Sequence, residues 1–183
     1  KLIIMKITPG IYRSVSTVAL PLASLYLMWR SRRQPAYRDY WDARFAWGTY
    51  PLRTARPRVW IHAVSVGETN AAKPLQEAML KSWPECDVVL THMTPTGREA
   101  GKRLVRLAPE RIRQCYLPYD APYAVEKFVR QVRPTLGVIM ETEVWPNLMH
   151  EMTAHGIPVV LANARESEKS RAQAQKAIEV MRP

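Results

Sequence analysis

From residue 59 onward, short apolar runs alternate with segments of helical pattern, and this alternation constrains the fold most. The runs are rich in β-branched residues and lack a polar alternation, which is typical of strands covered on both faces. The runs lie at 59–64, 87–90, 114–117, 136–140 and 158–161, and the helical segments lie near 69–83, 96–108, 121–132, 144–155 and 166–181. We therefore predict an α/β fold, a Rossmann-like parallel sheet of about five strands with flanking helices.

The loops that follow the predicted strands are the candidate ligand-binding loops. In sheets of this kind, ligand-binding loops gather at the carboxyl ends of the strands. The loops here are Ser65–Thr69, Thr91–Gly97, Pro118–Asp120, Glu141–Glu143 and Asn163–Arg165. We expect all of them at one edge of the sheet, so that three acids, Glu68, Glu141 and Glu143, share a neighbourhood.

Glu68 stands at the start of a predicted helix and has two interpretations. It is either an acid favoured there by the helix dipole or a general base that reaches into a cleft. A helix N-terminus lowers the pKa of a carboxylate, so a base working near neutral pH needs burial or a nearby like charge. Glu141 can provide that charge. We expect Gly67, just before Glu68, to let the backbone turn sharply after the first strand.

Glu141 and Glu143 follow the fourth predicted strand, where the apolar run 136–140 stops. A carboxylate there can cap the next helix, whose start is marked by Pro146. Only one carboxylate is needed for a cap. One of the two can therefore serve the helix or an arginine while the other faces the cleft.

The stretch 91–97 leads into a helix and contains Thr94, Thr96 and Gly97. It is either a capped helix start or a place where hydroxyls and free backbone N–H groups hold an anionic group. After the last predicted strand, Asn163 and Arg165 either bind a phosphate or carboxylate or pair with the acids of the fourth loop.

Several common sites are not encoded. No GxGxxG follows the first strand, no P-loop is present, and no Asp-x-Asp supports a metal-dependent nucleotide-sugar site. The four histidines have no metal-ligand spacing.

The basic excess belongs to the N-terminal third of the chain. Residues 1–60 hold 11 lysines and arginines and two acids, whereas residues 61–183 hold 16 and 14. Such a block attracts either nucleic acid or acidic lipid. The uncharged run Val18–Trp29 ends in aromatic residues followed by Arg30–Arg33, which favours lipid over nucleic acid. A span needs about 20 mainly apolar residues, so a transmembrane anchor, an interfacial helix and a soluble hydrophobic helix all stay open.

Six stretches, taken together, resemble the N-terminal half of the bacterial 3-deoxy-D-manno-octulosonic acid (Kdo) transferases. They are Pro35–Arg38, His62–Thr69, Met93–Gly97, Tyr116–Asp120, Ile139–Leu148 and Ile157–Arg165. The resemblance implies a GT-B fold of two Rossmann-like domains, in which the N-terminal one carries a membrane anchor and receives the acceptor lipid, and the C-terminal one binds CMP-Kdo. It also implies no metal or other cofactor, Glu68 as general base, and Glu141 as stabiliser of the transition state with Glu143 beside it.

The implied reaction is transfer of Kdo from CMP-Kdo to the lipid A precursor, lipid IVA, in lipopolysaccharide biosynthesis. The implied location is the cytoplasmic side of the bacterial inner membrane, with the lipid A precursor and the anionic membrane surface as partners and no nucleic acid. We expect the edge loops to bind the acceptor through Ser65, Gly67, Thr94, Thr96, Gly97, Asn163 and Arg165. The alternative is a non-catalytic, membrane-associated α/β binding module.

We predict three parts: residues 1–33 as a membrane anchor with a basic flank, 34–58 as a basic aromatic connecting segment, and 59–183 as the Rossmann-like acceptor-binding domain. The aromatic residues of 34–58 either pack against the following domain or contact the membrane. Chains of the family are longer than this sequence. We therefore expect the donor domain to be absent, and residues 1–183 alone to transfer no Kdo.

Overall fold

The computed structural model describes residues 9–141 and 145–163, and a parallel sheet forms its centre. The sheet built by these residues has five strands in the order β3-β2-β1-β4-β5. The strands are β1 Arg58–His62, β2 Asp87–His92, β3 Ile112–Tyr116, β4 Leu136–Met140 and β5 Val159–Ala162. The predicted parallel α/β sheet is confirmed, and each strand overlaps its predicted run.

Helices precede the sheet and connect its strands. The N-terminal part holds α1 Pro9–Val18, α2 Leu20–Ser31, a 3-10 turn Pro35–Arg38 and α3 Trp41–Arg44. The sheet is flanked by α4 Val66–Ser82, α5 Pro95–Val105, α6 Pro122–Val132 and α7 Pro146–Ala154. In α5, α6 and α7 a proline stands in the first turn, where its missing N–H costs no hydrogen bond. The helix predicted near 166–181 lies outside the described residues.

The flanking helices form one layer on each face of the sheet. Successive strand residues point to opposite faces, so apolar runs supply both layers. The core under α4 and α5 includes Val59, Ile61, Met79, Leu90 and Leu104. The core under α6 and α7 includes Trp60, Val89, Phe128, Ile139 and Leu148.

The chain reverses its direction across the sheet between β1 and β4. From β1 it moves outward to β2 and β3, and α6 then carries it back to β4 on the other side of β1. In open α/β sheets such a reversal leaves a crevice at the carboxyl ends of the two central strands. Glu68 follows β1 and Glu141 follows β4, so both acids belong to this crevice.

The segment 34–58 packs against its neighbours through aromatic side chains. Tyr37 and Phe45 are buried in a cluster with Leu27 of α2. Tyr119 of the following domain packs against the same cluster, so packing rather than membrane contact is the correct interpretation for these side chains. Trp47, by contrast, is 66% exposed.

The structure bears only partly on the predicted membrane anchor. Among the described helices, none is by itself both long and apolar enough to cross a membrane. By length and composition, α1 and α2 pass that test only as a pair, with a bend of 43° between them. The division of the chain at residues 33 and 58 stays a prediction, and so does the anchor.

Candidate functional site

A reciprocal hydrogen-bonded cap fixes Glu68 at the carboxyl end of β1. Ser65 is the N-cap of α4, and its Oγ accepts from the backbone N–H of Glu68 at 3.4 Å. In return, the Ser65 hydroxyl donates to Glu68 Oε1 at 2.9 Å, and the backbone N–H of Val64 donates to Oε2 at 2.7 Å. The Ser-x-x-Glu spacing is that of a capping box. Glu68 is thus a helix-start acid, as one of its two interpretations predicted.

Burial changes the acidity of the Glu68 carboxyl group. The residue is only 6% exposed. Burial raises the pKa of Glu68 above its ordinary value and the charge of Glu141 adds to the rise, although hydrogen bonds from Val64 and Ser65 oppose it. A carboxylate with a raised pKa is a better base near neutral pH. The cap therefore holds Glu68 in place without making it an ordinary, strongly acidic surface carboxylate.

The loop before α5 packs directly against this cap. Thr94 is the N-cap of α5, and its Oγ1 accepts from the backbone N–H of Gly97 at 3.0 Å and donates to the Val64 carbonyl oxygen at 2.9 Å. A Cβ atom at Gly97 would lie 2.6 Å from that carbonyl oxygen, so the close approach of the two loops requires glycine. Thr96 is exposed beside them. The capped helix start is confirmed, and anion binding by this loop stays a prediction.

Gly67 does not make the sharp turn that the sequence suggested. It lies in the first turn of α4, and its backbone is not in the left-handed region that favours glycine. The chain turns earlier, at the N-cap Ser65. Within 4 Å, a Cβ atom at Gly67 would meet only Ser65 Oγ, at 3.8 Å. Gly67 thus leaves open surface in the first turn of α4.

Glu141 and Asn163 end neighbouring strands and share an unusual backbone conformation. The backbone N–H of Glu141 donates to the carbonyl oxygen of Ala162 at 2.8 Å. Glu141 has φ 63° and Asn163 has φ 55°, the left-handed region, which costs most residues roughly 1–2 kcal/mol. Asparagine adopts this region readily, whereas glutamate does not. The strain at Glu141 is of the kind that clusters at functional sites.

The structure brings most of the predicted site residues to one edge. The group around the Val64 backbone consists of Ser65, Glu68, Thr94 and Gly97. Glu141 lies within electrostatic reach of Glu68, and Asn163 lies farther along the edge, after β5. Glu143 and Arg165 lie outside the described residues, so their predicted roles stay predictions.

Two histidines beneath this edge are neutral. Both His62 and His92 are fully buried. Burial lowers the pKa of His62 to about 3 and that of His92 to about 4. His62 Nδ1 lies 2.9 Å from Thr91 Oγ1, and His92 Nδ1 lies 2.8 Å from the carbonyl oxygen of Ala63. They join the ends of β1 and β2 without adding positive charge next to Glu68.

Asp120 and Asn147 belong to the same edge, although sequence analysis gave them no individual role. Asp120 is 7% exposed and Asn147 is 3% exposed. The Asp120 carboxylate accepts from the backbone N–H groups of Asn147 and Leu148, at 3.0 and 2.9 Å. The position of Asp120 after the third strand was the available signal. Its partners could not be inferred, because they lie 27 and 28 residues away.

The Glu68 carboxylate retains capacity for a further hydrogen bond. Its oxygens accept from the Ser65 hydroxyl and the Val64 N–H group, and a carboxylate oxygen can accept more than one hydrogen bond. Within residues 9–141 and 145–163, no group of three or more His, Cys, Asp and Glu side chains is arranged to hold a metal ion. Metal independence stays a prediction.

The family model and the curated proteins that match this chain carry the same name. The family model described as 3-deoxy-D-manno-octulosonic-acid transferase (kdotransferase) matches residues 39–183. A curated 3-deoxy-D-manno-octulosonic acid transferase of Bordetella pertussis is 44% identical over 88% of this chain and 39% of its own length. The 3-deoxy-D-manno-octulosonic acid transferase of Haemophilus influenzae is 36% identical over 87% of this chain and 36% of its own length. The chain therefore spans less than two fifths of these relatives.

Two further matches are more distant. A protein of Arabidopsis thaliana, called a probable mitochondrial 3-deoxy-D-manno-octulosonic acid transferase, is 31% identical over 87% of this chain and 35% of its own length. A crystal structure of UDP-N-acetylglucosamine 2-epimerase aligns over 69% of this chain and 39% of its own, with a TM-score of 0.48 and 12% identity. That likeness is too distant to support an argument about function.

Two glycines of this edge form a matched pair for mutation. We expect Gly97→Ala to lower the free energy of unfolding by about 1–3 kcal/mol, because its Cβ would press against the Val64 carbonyl oxygen. We expect Gly67→Ala to leave stability unchanged or to raise it by up to about 1 kcal/mol, because alanine favours the helix and the space is open. Urea unfolding followed by circular dichroism measures both. Equal effects of the two substitutions would contradict the packing described for the two loops.

Proposed function

The chain belongs to the 3-deoxy-D-manno-octulosonic-acid transferase family, and from this membership we propose that it is the acceptor-binding part of a glycosyltransferase. In this proposal, Kdo passes from CMP-Kdo to a lipid A precursor, lipid IVA, in lipopolysaccharide synthesis. The donor is bound by the part of these relatives that this chain does not span. In this proposal, residues 1–183 alone therefore transfer no Kdo. The observation that carries the proposal is the buried Glu68 carboxylate at the crevice of the sheet. Burial raises the pKa of Glu68, and the charge of Glu141 adds to the rise.

In the proposed reaction, Glu68 acts as general base. It takes the proton from a sugar hydroxyl of the acceptor while that oxygen forms a bond to the anomeric carbon of Kdo. The bond between this carbon and the phosphate oxygen of CMP breaks, and CMP leaves as a stable anion. The negative charge of Glu141 favours protonation of Glu68, and the same charge can stabilise positive charge that develops on the sugar.

The edge loops provide a second part of the proposal, which concerns acceptor binding. Thr96 is exposed in the loop that packs against the Glu68 cap, and Gly67 leaves open surface in the first turn of α4. Two residues after Thr96, the Arg98 guanidinium stacks over the Tyr40 ring, with 4.0 Å between the guanidinium carbon and the ring centroid. A cationic group on the helix that starts at this edge suits an acceptor that carries phosphates.

Helices α1 and α2 support a membrane location for the site. They expose a group of large apolar side chains to solvent, which are Val15, Val18, Leu22, Leu25, Met28 and Trp29. The exposed basic residues Arg32 and Arg33 follow directly. Apolar and aromatic side chains beside a basic cluster are typical of the membrane–water boundary. We propose the cytoplasmic side of the bacterial inner membrane as the location.

The packing of α2 favours an interfacial helix over a membrane-spanning one. Leu27 and Ser31 are buried against the rest of the protein, with Leu27 1% exposed, while Leu25 and Trp29 are 59% and 53% exposed. A helix with one face on protein and one face outside suits a position in the plane of the membrane surface. The acceptor lipid would then reach the crevice from the bilayer.

A second candidate function is a non-catalytic, membrane-associated binding module. The capping box favours it, because both Glu68 oxygens already have a structural partner. The two functions separate when the chain is joined to the remaining length of the Bordetella relative and Kdo transfer is measured.

In that joined enzyme, we expect Glu68→Gln to lower kcat by about 10²–10⁴, the usual contribution of a general base. Glutamine keeps an oxygen for the Val64 N–H group, so the fold should remain. Glu77→Gln is the matched control, since Glu77 lies on the same helix, is exposed and pairs only with Lys73 among the described residues. Transfer of labelled Kdo from CMP-Kdo to lipid IVA measures the rate. A Glu68→Gln enzyme as fast as the control would leave Glu68 with the capping role alone.

We expect the double substitution Leu22→Ser and Leu25→Ser to weaken binding of the 183-residue chain to phosphatidylglycerol vesicles at least about tenfold, because two exposed leucines lose their burial in the membrane. Leu107→Ser is the control, since Leu107 is also exposed, at 43%, but follows α5. Co-sedimentation with vesicles measures the affinity. Equal losses in the double variant and the control would argue against an insertion face on α1 and α2.

A further inference from the structure

We propose that Asp120 is a positioning residue that couples α1 to the start of α7, so that contact of α1 with a membrane orders the edge that carries Glu141. The inference rests on the proposed membrane role of α1 and α2. It adds a link between that surface and the candidate catalytic edge.

Asp120 supplies the N-terminal cap that α7 lacks in its own sequence. The N-cap position of α7 is Trp145, which makes no side-chain capping hydrogen bond. A helix start leaves backbone N–H groups without partners unless a side chain accepts from them. Asp120 Oδ2 accepts from Asn147 N–H and Oδ1 accepts from Leu148 N–H. A carboxylate at this end is also favoured by the helix dipole. Asp120, from the loop after β3, therefore determines where α7 begins.

The same carboxylate is held by α1. The Tyr12 hydroxyl donates to Asp120 Oδ2 at 2.9 Å. One turn later in α1, Ser16 Oγ accepts from Asn147 Nδ2 at 3.0 Å. Tyr12 and Ser16 are four residues apart and so lie on one side of the helix. Tyr12 and Ser16, on one side of α1, are thus hydrogen-bonded to Asp120 and Asn147 at the start of α7.

A different side of α1 carries the exposed apolar residues. Ile11, Val15 and Val18 follow helical spacing and are 40%, 59% and 76% exposed. The helix therefore faces the protein with its polar pair and faces outward with this apolar side. Insertion of the apolar side into a membrane would fix the position of α1, and with it Tyr12 and Ser16.

The start of α7 matters because it bounds the segment that begins at Glu141. At the other end, the Glu141 N–H is fixed to the Ala162 carbonyl oxygen. The left-handed backbone of Glu141, with φ 63°, is costly and persists only when its surroundings determine it. Asp120 fixes the start of α7, five residues after Glu141 in the chain. Coupling through Tyr12 would make this attachment firmer when α1 is bound to lipid.

Hydrogen exchange of the 183-residue chain tests the coupling, with vesicles of phosphatidylethanolamine and phosphatidylglycerol as the probe. In the wild type, we expect vesicles to slow amide exchange in the peptide covering 145–152. In Tyr12→Phe, we expect vesicle binding to be unchanged but the slowing at 145–152 to be lost, a change of roughly tenfold for a hydrogen bond to a charged group. Tyr26→Phe is the control, since Tyr26 is a half-exposed tyrosine of α2, and we expect it to behave as the wild type.

These variants distinguish coupling between membrane contact and the start of α7 from a purely structural hydrogen bond. A structural bond would speed exchange equally with and without vesicles, and that result for Tyr12→Phe would overturn the inference. Asp120→Asn adds a second variant, in which exchange at 145–152 should be fast in both conditions. Vesicle binding by the wild type with no change at 145–152 would overturn the coupling alone. No vesicle binding at all would overturn the proposed membrane role and the inference with it.

Discussion

The reciprocal cap between Ser65 and Glu68 is the interaction on which the rest of the site depends. It places a carboxylate at the end of β1, beside the crevice where the sheet reverses its order. The Val64 backbone next to the cap then receives the Thr94 hydroxyl and tolerates only glycine at Gly97. One local hydrogen-bonding pattern thus fixes the relation between two loops and two helix starts.

The structural and chemical roles of Glu68 are compatible because of burial. An exposed capping carboxylate at a helix N-terminus would be a weak base, since the helix and its hydrogen bonds favour the charged form. Here burial outweighs those contributions, and the charge of Glu141 acts in the same direction. The neutral histidines beneath the edge provide no charge that would reverse the shift. The cap can therefore orient a base without disabling it.

Local pattern was sufficient to predict the sheet and the edge, but not the contacts between distant segments. The unalternating apolar runs predicted the parallel strands because both faces of each strand are covered. The acids after β1 and β4 could be assigned to one edge because the carboxyl ends of parallel strands lie at the same edge of a sheet. The predicted turn at Gly67 is wrong, because the N-cap Ser65 makes the turn before this helix. The predicted part of Gly67 in acceptor binding stays a prediction. The pairing of Tyr12 with Asp120 joins residues 108 positions apart, and no local pattern encodes such a pair.

The proposed chemistry requires the Glu68 and Glu141 carboxylates to interact at one sheet edge. The most direct measurement is a pH titration by NMR of glutamate labelled with ¹³C at the side-chain carboxyl carbon, with the Glu68 signal assigned by its loss in Glu68→Gln. If the two carboxylates interact, Glu68 titrates at a higher pH than an ordinary glutamate, and its titration moves to lower pH in Glu141→Gln. A Glu68 signal that titrates in the ordinary range, or identically in both proteins, would contradict the interaction.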